Sequence, residues 1–269
     1  MTATPTDLLE TCVAAARAAG SILIEGLTRN KDVVQKSERA SIVTWADITA
    51  QDKIFEIIQA RHPGCMILGE EGDAEGDDSL VFIVDPLDGT SNYASGIPFA
   101  CTSIAVRDSQ GLAAGAILNP FANELFTAIR GGGAWLDGTR LAVSTNGDVS
   151  RALVATGLQS DDADEIEGHG KRIVALHRSS RGARAFGSPA LCLAYVAAGR
   201  LDAFFEKDAT YAWDIAAGSL MIREAGGQAT DLDGHGPINL STREIANVLG
   251  TNGSVHAGLH TLLAATGTL

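Results

Sequence analysis

Apolar positions recur at helical spacing over the first 27 residues. Leu8, Leu9, Val13, Ala16, Ile22, Leu23 and Leu27 share a face, and Thr6 or Asp7 can cap its start. A loop and short strand are expected over residues 36–44. A second helix follows from Asp47, with Ile48, Ile54, Phe55, Ile57 and Ile58 toward a core and His62-Pro63-Gly64 as its stop. Two unbroken apolar runs, 65–68 and 80–84, have the character of strands buried on both faces. From Pro98 to about Val143 the pattern becomes strands and hairpins: 101–106, 113–118 and 124–129, with turns at 108–111, 131–133 and 136–138. This predicts an antiparallel sheet. A Ser/Gly/Asp-containing stretch over 144–150 is the best internal boundary, dividing a single domain, 1–269, into halves 1–145 and 146–269. Beyond it strand and helix alternate: strand 153–156, helix 166–176, helix 190–198 opened by Ser188-Pro189, strand 201–205, helix 213–225 closed by Gly226-Gly227, and helix 255–265.

Composition narrows the functional classes. A hydrophobic share of 45% over 269 residues supplies a full core. The excess of 33 Asp+Glu over 20 Lys+Arg argues against direct nucleic-acid binding, which needs a basic footprint. It leaves room for an anionic substrate, because a bound cation reverses the local field. Surplus carboxylates are expected on solvated loops at 72–78 and 161–165. Cys12, Cys65, Cys101 and Cys192 are scattered in apolar contexts, as buried free thiols are. The six histidines fall in no ligand spacing and belong at the surface or at helix ends, and Trp135 belongs in the core or at a subunit contact. No signal peptide or membrane-spanning run is legible, so a soluble, cytoplasmic protein is expected.

Chemistry concentrates where apolar elements end. Glu70 follows one predicted strand, and Asp85 and Asp88 follow the next, with Pro86 restricting the backbone between them on an expected tight turn. Gly89-Thr90-Ser91 can open a helix whose free N–H groups suit an oxyanion, and Asp214 lies in the first turn of another helix. Singly, each has a plain structural reading as a turn residue, a loop charge or a cap. Together they constrain one another. Two like charges about 4 Å apart repel by roughly 4 kcal/mol at an effective dielectric near 20, so a cluster of four carboxylates would protonate or separate unless it held divalent cations. An all-oxygen set points to Mg²⁺, with Mn²⁺ or Ca²⁺ as alternatives, and to metal-assisted phosphoryl transfer.

The motifs Gly69-Glu70-Glu71, Asp85-Pro86-Leu87-Asp88-Gly89-Thr90-Ser91-Asn92-Tyr93 and Trp213-Asp214-Ile215-Ala216-Ala217-Gly218 resemble those of the inositol monophosphatase family of Mg²⁺-dependent, lithium-sensitive phosphatases. Val43-Thr44-Trp45-Ala46-Asp47, Gly187-Ser188 and Arg200-Leu201-Asp202-Ala203-Phe204-Phe205-Glu206 extend the likeness over nearly the whole chain. The resemblance implies an α/β (α+β) fold, a layered αβαβα sandwich, in a homodimer. It implies that Glu70, Asp85 and the Leu87 carbonyl hold one Mg²⁺, that Asp85, Asp88 and Asp214 hold a second, and that a third lies near Glu70. Thr90, paired with Asp47, would help Glu70 orient and deprotonate a water for in-line attack, with no phosphoenzyme. Ca²⁺ and Li⁺ would inhibit. Lysines occur near the family's metal site, which places Lys36 there as an alternative to solvent.

On the substrate side the resemblance implies contacts from Asp88, Gly89, Thr90, Gly187, Ser188, Pro189, Glu206 and Asp214. Pro189 departs from the family's usual alanine and removes a backbone donor, and the segment between Glu206 and Asp214 is one residue longer. A small phosphorylated metabolite is expected, foremost a myo-inositol monophosphate. Histidinol phosphate, fructose 1,6-bisphosphate and 3′-phosphoadenosine 5′-phosphate are the alternatives of the same chemistry. A regulatory protein-binding role is the alternative of another class.

Overall fold

The computed structural model describes residues 3–29, 34–35, 42–157, 160–234, 240 and 243–267; Lys36 and His235 lie outside them. The chain begins with α1 (Pro5–Gly26), β1 (Val34–Gln35), β2 (Ile42–Val43) and α2 (Trp45–Arg61). Thr4 caps α1 and Thr44 caps α2, each in a reciprocal pair with the aspartate three residues on, Asp7 and Asp47. Both caps precede their expected positions, because a threonine outside the apolar periodicity supplies the oxygen that the first free N–H groups need.

Among the described residues seven strands form the first sheet: β3 (Cys65–Gly69) and β4 (Asp77–Asp88), then, after the short helix α3 (Thr90–Ala94), β5 (Cys101–Asp108), β6 (Gly111–Asn119), β7 (Glu124–Ile129), β8 (Gly133–Leu136) and β9 (Thr139–Arg140). They lie in sequence order, with β3 and β4 parallel and every later pair antiparallel. The expected antiparallel stretch is therefore present, and β8 fills the space between two of the predicted turns.

A 3₁₀ turn (Val149–Arg151) leads into β10 (Leu153–Thr156), α4 (Ala163–Ser179), β11 (Gly182–Arg184), α5 (Pro189–Ala197), β12 (Ala203–Thr210), α6 (Ala212–Glu224), β13 (Gln228–Thr230), β14 (Ala246–Thr251) and α7 (His256–Ala264). The second sheet has the order β11-β10-β12-β14-β13, parallel across its first three strands and antiparallel beyond.

Three hydrophobic cores stack these elements into five layers. Leu8, Cys12 and Leu23 of α1 with Ile54 and Ile58 of α2 cover one face of the first sheet, meeting Phe82, Val84, Ile104 and Val106. The other face, through Val81, Ile83 and Ile117, meets Leu191, Leu193 and Val196 of α5 and Ile215, Leu220 and Ile222 of α6, which also reach Phe204 and Val248 of the second sheet. Leu176 of α4 and Leu259 and Leu263 of α7 close the far side against Val154, Phe205 and Leu249. The result is the expected αβαβα sandwich. Alternate residues of β4 enter different cores, which is why its run carries no polar position. All four cysteines are buried and free. His256 opens α7, as the helix-end expectation allows, and is buried there, with its ring nitrogens bonded to Thr230 and Thr251. No helix among the described residues is long and apolar enough to cross a membrane.

Candidate active site

β4 does not stop at Val84 and give way to the expected tight turn carrying Asp85 and Asp88. It runs on to Asp88, with Asp85 opposite Ser103 and Asp88 opposite Cys101, so the register slips by one residue around Pro86. That proline has no N–H to lose from the ladder. The Asp85 carboxylate accepts from the Leu87 amide at 2.9 Å and Thr102 Oγ1 donates to the Pro86 carbonyl at 2.9 Å, which holds the bulge. Beside it, the Glu70 amide donates to Val84 at 3.1 Å and places Glu70 at the same end of the sheet. Gly89 follows with φ +90°, and a Cβ there would lie 3.0 Å from the Phe99 carbonyl and 3.1 Å from that of Gly187. Only glycine fits, and it turns the chain directly into α3.

Asp214 arrives from the other half as the third residue of α6, where its Oδ2 accepts from the Tyr211 amide at 2.6 Å. The capping reading is thus correct, and the same carboxylate also faces the cleft. Asp47 repeats this design in α2, accepting from the Thr44 amide at 2.7 Å and the Thr44 hydroxyl at 2.5 Å. Its other oxygen lies 3.1 Å from Thr90 Oγ1, which is also 3.0 Å from the Leu87 carbonyl. One hydroxyl proton can serve only one of these acceptors at a time.

Carboxylate oxygens of Asp85, Asp88 and Asp214 all lie within 4.8 Å of one another. Burial, then the charges of Glu70, Asp88 and Asp214, hold the Asp85 carboxyl well above its ordinary range. Asp214 is raised well above it too, by burial and then by Asp88 and Glu70. Burial lifts Asp88 to about 7, against hydrogen bonds from the Ser188 hydroxyl and the Ala190 amide (2.9 Å). Buried like charges that resist ionisation, presented by oxygen atoms alone, fit a hard divalent cation.

All eleven predicted metal and substrate residues (Glu70, Asp85, Leu87, Asp88, Gly89, Thr90, Gly187, Ser188, Pro189, Glu206 and Asp214) line one cleft of about 230 Å³. Asp47 lies beneath it, behind Thr90. The first turns of α3, α5 and α6 all open onto this cleft and direct positive dipole ends at it. Pro189 is the first residue of α5, and the next amide, Ala190, is spent on Asp88. Opposite, Glu206 is buried, with Oε2 lacking a hydrogen-bond partner among the described residues. Burial, then the Asp88 charge, lift it to about 8.

Several contributors escaped the sequence reading. Thr44 orients Asp47 and was visible as the first residue of a Thr-x-x-Asp capping box. Cys101 Sγ approaches Asp88 Oδ2 at 3.7 Å but reads as an ordinary core residue. Thr156 and Gly157 form the wall beside Glu206, and Arg243 reaches the Glu70 turn; neither carries a sequence signal.

Fold and cleft together are those of metal-dependent phosphatases. The chain matches the inositol monophosphatase family over residues 5–266. An inositol-1-monophosphatase of Caulobacter vibrioides is 43% identical over 207 residues, 74% of this chain and 79% of that protein. A Nus factor SuhB of Xylella fastidiosa is 39% identical over 224 residues, 82% of this chain and 81% of that protein. The crystal structure of the extragenic suppressor protein SuhB from Bartonella henselae superposes with a TM-score of 0.88 at 37% identity, covering 95% of this chain and 98% of that one. The chain belongs to the inositol monophosphatase family, whose members hydrolyse phosphomonoesters.

Proposed function

We propose that the protein is a Mg²⁺-dependent phosphatase of small polyol phosphates, with myo-inositol monophosphate as the leading substrate. The observation that carries this reading is the triangle of Asp85, Asp88 and Asp214 oxygens within 4.8 Å, set among helix N-termini. Glu70, Asp85, the Leu87 carbonyl, Asp88 and Asp214 would hold two or three ions. Bound Mg²⁺ would offset the carboxylate charge, acidify a water and stabilise the departing alkoxide.

The rest falls to the chain's own groups. Amides at the start of α3 cradle the phosphate oxygens, while Glu70 and Thr90 orient the attacking water. As that water attacks phosphorus, its proton passes to Thr90 Oγ, which hands its own to Asp47. Burial first, then the charges of Glu70 and Glu71, lift Asp47 to about 7 against the Thr44 hydrogen bonds, so it can hold a proton near neutral pH. The phosphorus–ester bond breaks and the alkoxide takes a proton from solvent. Glu206, with an oxygen still unpartnered, supports a leaving group rich in hydroxyls.

Phosphate release with Mg²⁺ from inositol 1-phosphate, histidinol phosphate, fructose 1,6-bisphosphate and 3′-phosphoadenosine 5′-phosphate tests this reading. Inositol 1-phosphate should give the highest kcat/KM, with inhibition by Li⁺ and by excess Ca²⁺. Asp88→Asn should leave a folded protein with activity lowered at least about a hundredfold, the scale of losing a charge-stabilising group. Near wild-type turnover in that variant would remove the metal assignment.

A further inference from the structure

Arg243 belongs to no motif read from the sequence, yet it joins the two segments that bring carboxylates from opposite halves. Its Nε donates to Asp73 Oδ2 and its Nη2 to Asp73 Oδ1, both at 2.8 Å, in a bidentate fork. Nη2 also donates to the Gly69 carbonyl, and Nη1 lies 3.5 Å from the carbonyl of Glu70. Asp73 Oδ1 in turn accepts from the Gly69 amide at 3.1 Å. Guanidinium and aspartate therefore enclose the turn on which Glu70 sits. The guanidinium carbon is also 5.1 Å from the ring centroid of Trp213, the residue before Asp214. Trp213 stacks on Tyr211 at 4.9 Å, and the Tyr211 amide holds the Asp214 carboxylate.

We propose that Arg243 is a positioning residue for divalent-cation binding. It fixes the Glu70 turn, in the first half of the chain, against the Trp213–Asp214 corner in the second, so that both carboxylates address one cleft. This inference rests on the metal-dependent reading above. A stabilising role alone would be small, because Asp73 and Arg243 keep 36% and 42% of their side-chain surface exposed and ion pairs of that kind contribute at most about 1 kcal/mol. Their value lies in geometry. Groups that orient metal ligands typically change affinity about 10–100-fold when removed. A lysine cannot reproduce the fork together with the ring contact.

The test is a Mn²⁺ titration of the full chain, following free Mn²⁺ by electron paramagnetic resonance, alongside thermal unfolding and the Mg²⁺ dependence of phosphate release. Arg243→Ala should bind Mn²⁺ about 10–100-fold more weakly and need correspondingly more Mg²⁺ for half-maximal rate. Substrate KM at saturating Mg²⁺ and the unfolding temperature should stay near wild type. Asp73→Asn should behave alike, the double variant should be no worse than either single one, and Arg243→Lys should remain impaired. Wild-type Mn²⁺ affinity in Arg243→Ala, full rescue by lysine, or a lowered unfolding temperature with unchanged metal binding would each overturn the proposal. Asp88→Asn separates the two readings. If it loses Mn²⁺ while Arg243→Ala keeps it, only the positioning role fails; if it binds Mn²⁺ like wild type, the metal-dependent reading fails with it.

Discussion

Under the proposed function, Gly157 is the residue on which leaving-group recognition would turn. A Cβ at that position would stand 2.7 Å from both oxygens of Glu206, so the glycine keeps open the space the carboxyl occupies. Gly157→Ala should push Glu206 aside and raise KM for inositol 1-phosphate roughly tenfold, equivalent to about 1.4 kcal/mol and to one hydrogen bond. Hydrolysis of 4-nitrophenyl phosphate, whose leaving group carries no hydroxyl for Glu206 to meet, should be spared. Equal losses on both substrates would mean that Glu206 does not contact the leaving group. At this scale the carboxylates were legible, because Glu70, Asp85 and Asp88 follow apolar runs and Asp214 opens an apolar helix, places that select for chemistry or for capping. Arg243 was not legible: a cation in a polar stretch announces nothing until its partners are folded around it.

Among the elements, α5 and α6 have the narrowest tolerance. A Cβ on Gly218 would lie 2.3 Å from Leu193 Cβ, so the two helices meet there backbone to side chain. Gly218→Ala gains about 1 kcal/mol of helix propensity, but the forced separation should cost more, leaving a net loss of about 1–3 kcal/mol in urea unfolding. Because α5 supplies the Ala190 amide to Asp88 and α6 carries Asp214, activity should fall with stability. An unchanged urea midpoint would show that the helices can slide apart freely. Long periodic helices and doubly buried strands could be read directly from the sequence. β14 could not, since Gly250 dilutes its apolar signal, and that glycine is there because a Cβ would come within 2.7 Å of Ile222 and Leu193. β11 and β13, three residues each, are too short to show a period. The longer β4 was hidden by Pro86, which reads as a strand breaker unless a bulge absorbs it.

For the whole molecule, the cleft makes stability depend on pH and on cations together. Burial holds Asp47 and Asp88 at about 7 and Glu206 at about 8, above the ordinary carboxyl range near 4. Between those limits the folded chain binds more protons than the unfolded one. The contribution of these groups is therefore complete below about pH 4 and is lost as pH rises through about 7 to 8. In EDTA, the unfolding temperature should fall from about pH 5.5 to about pH 8.5, and added Mg²⁺ should restore more of it at the alkaline end. A Mg²⁺ shift of the same size at both ends, followed by scanning fluorimetry, would contradict this account.

Synthesis on the ribosome meets the same arrangement in time. Glu70, Asp85 and Asp88 are made early, whereas Asp214 emerges only after α5 and β12, so a growing chain holds an unfinished basin of negative charge through much of its translation. Docking of α6 completes that basin and brings the repulsion to its peak at once. Cations that screen this charge around the nascent chain would ease the docking of α6, ahead of β13, β14 and α7, which are made after it.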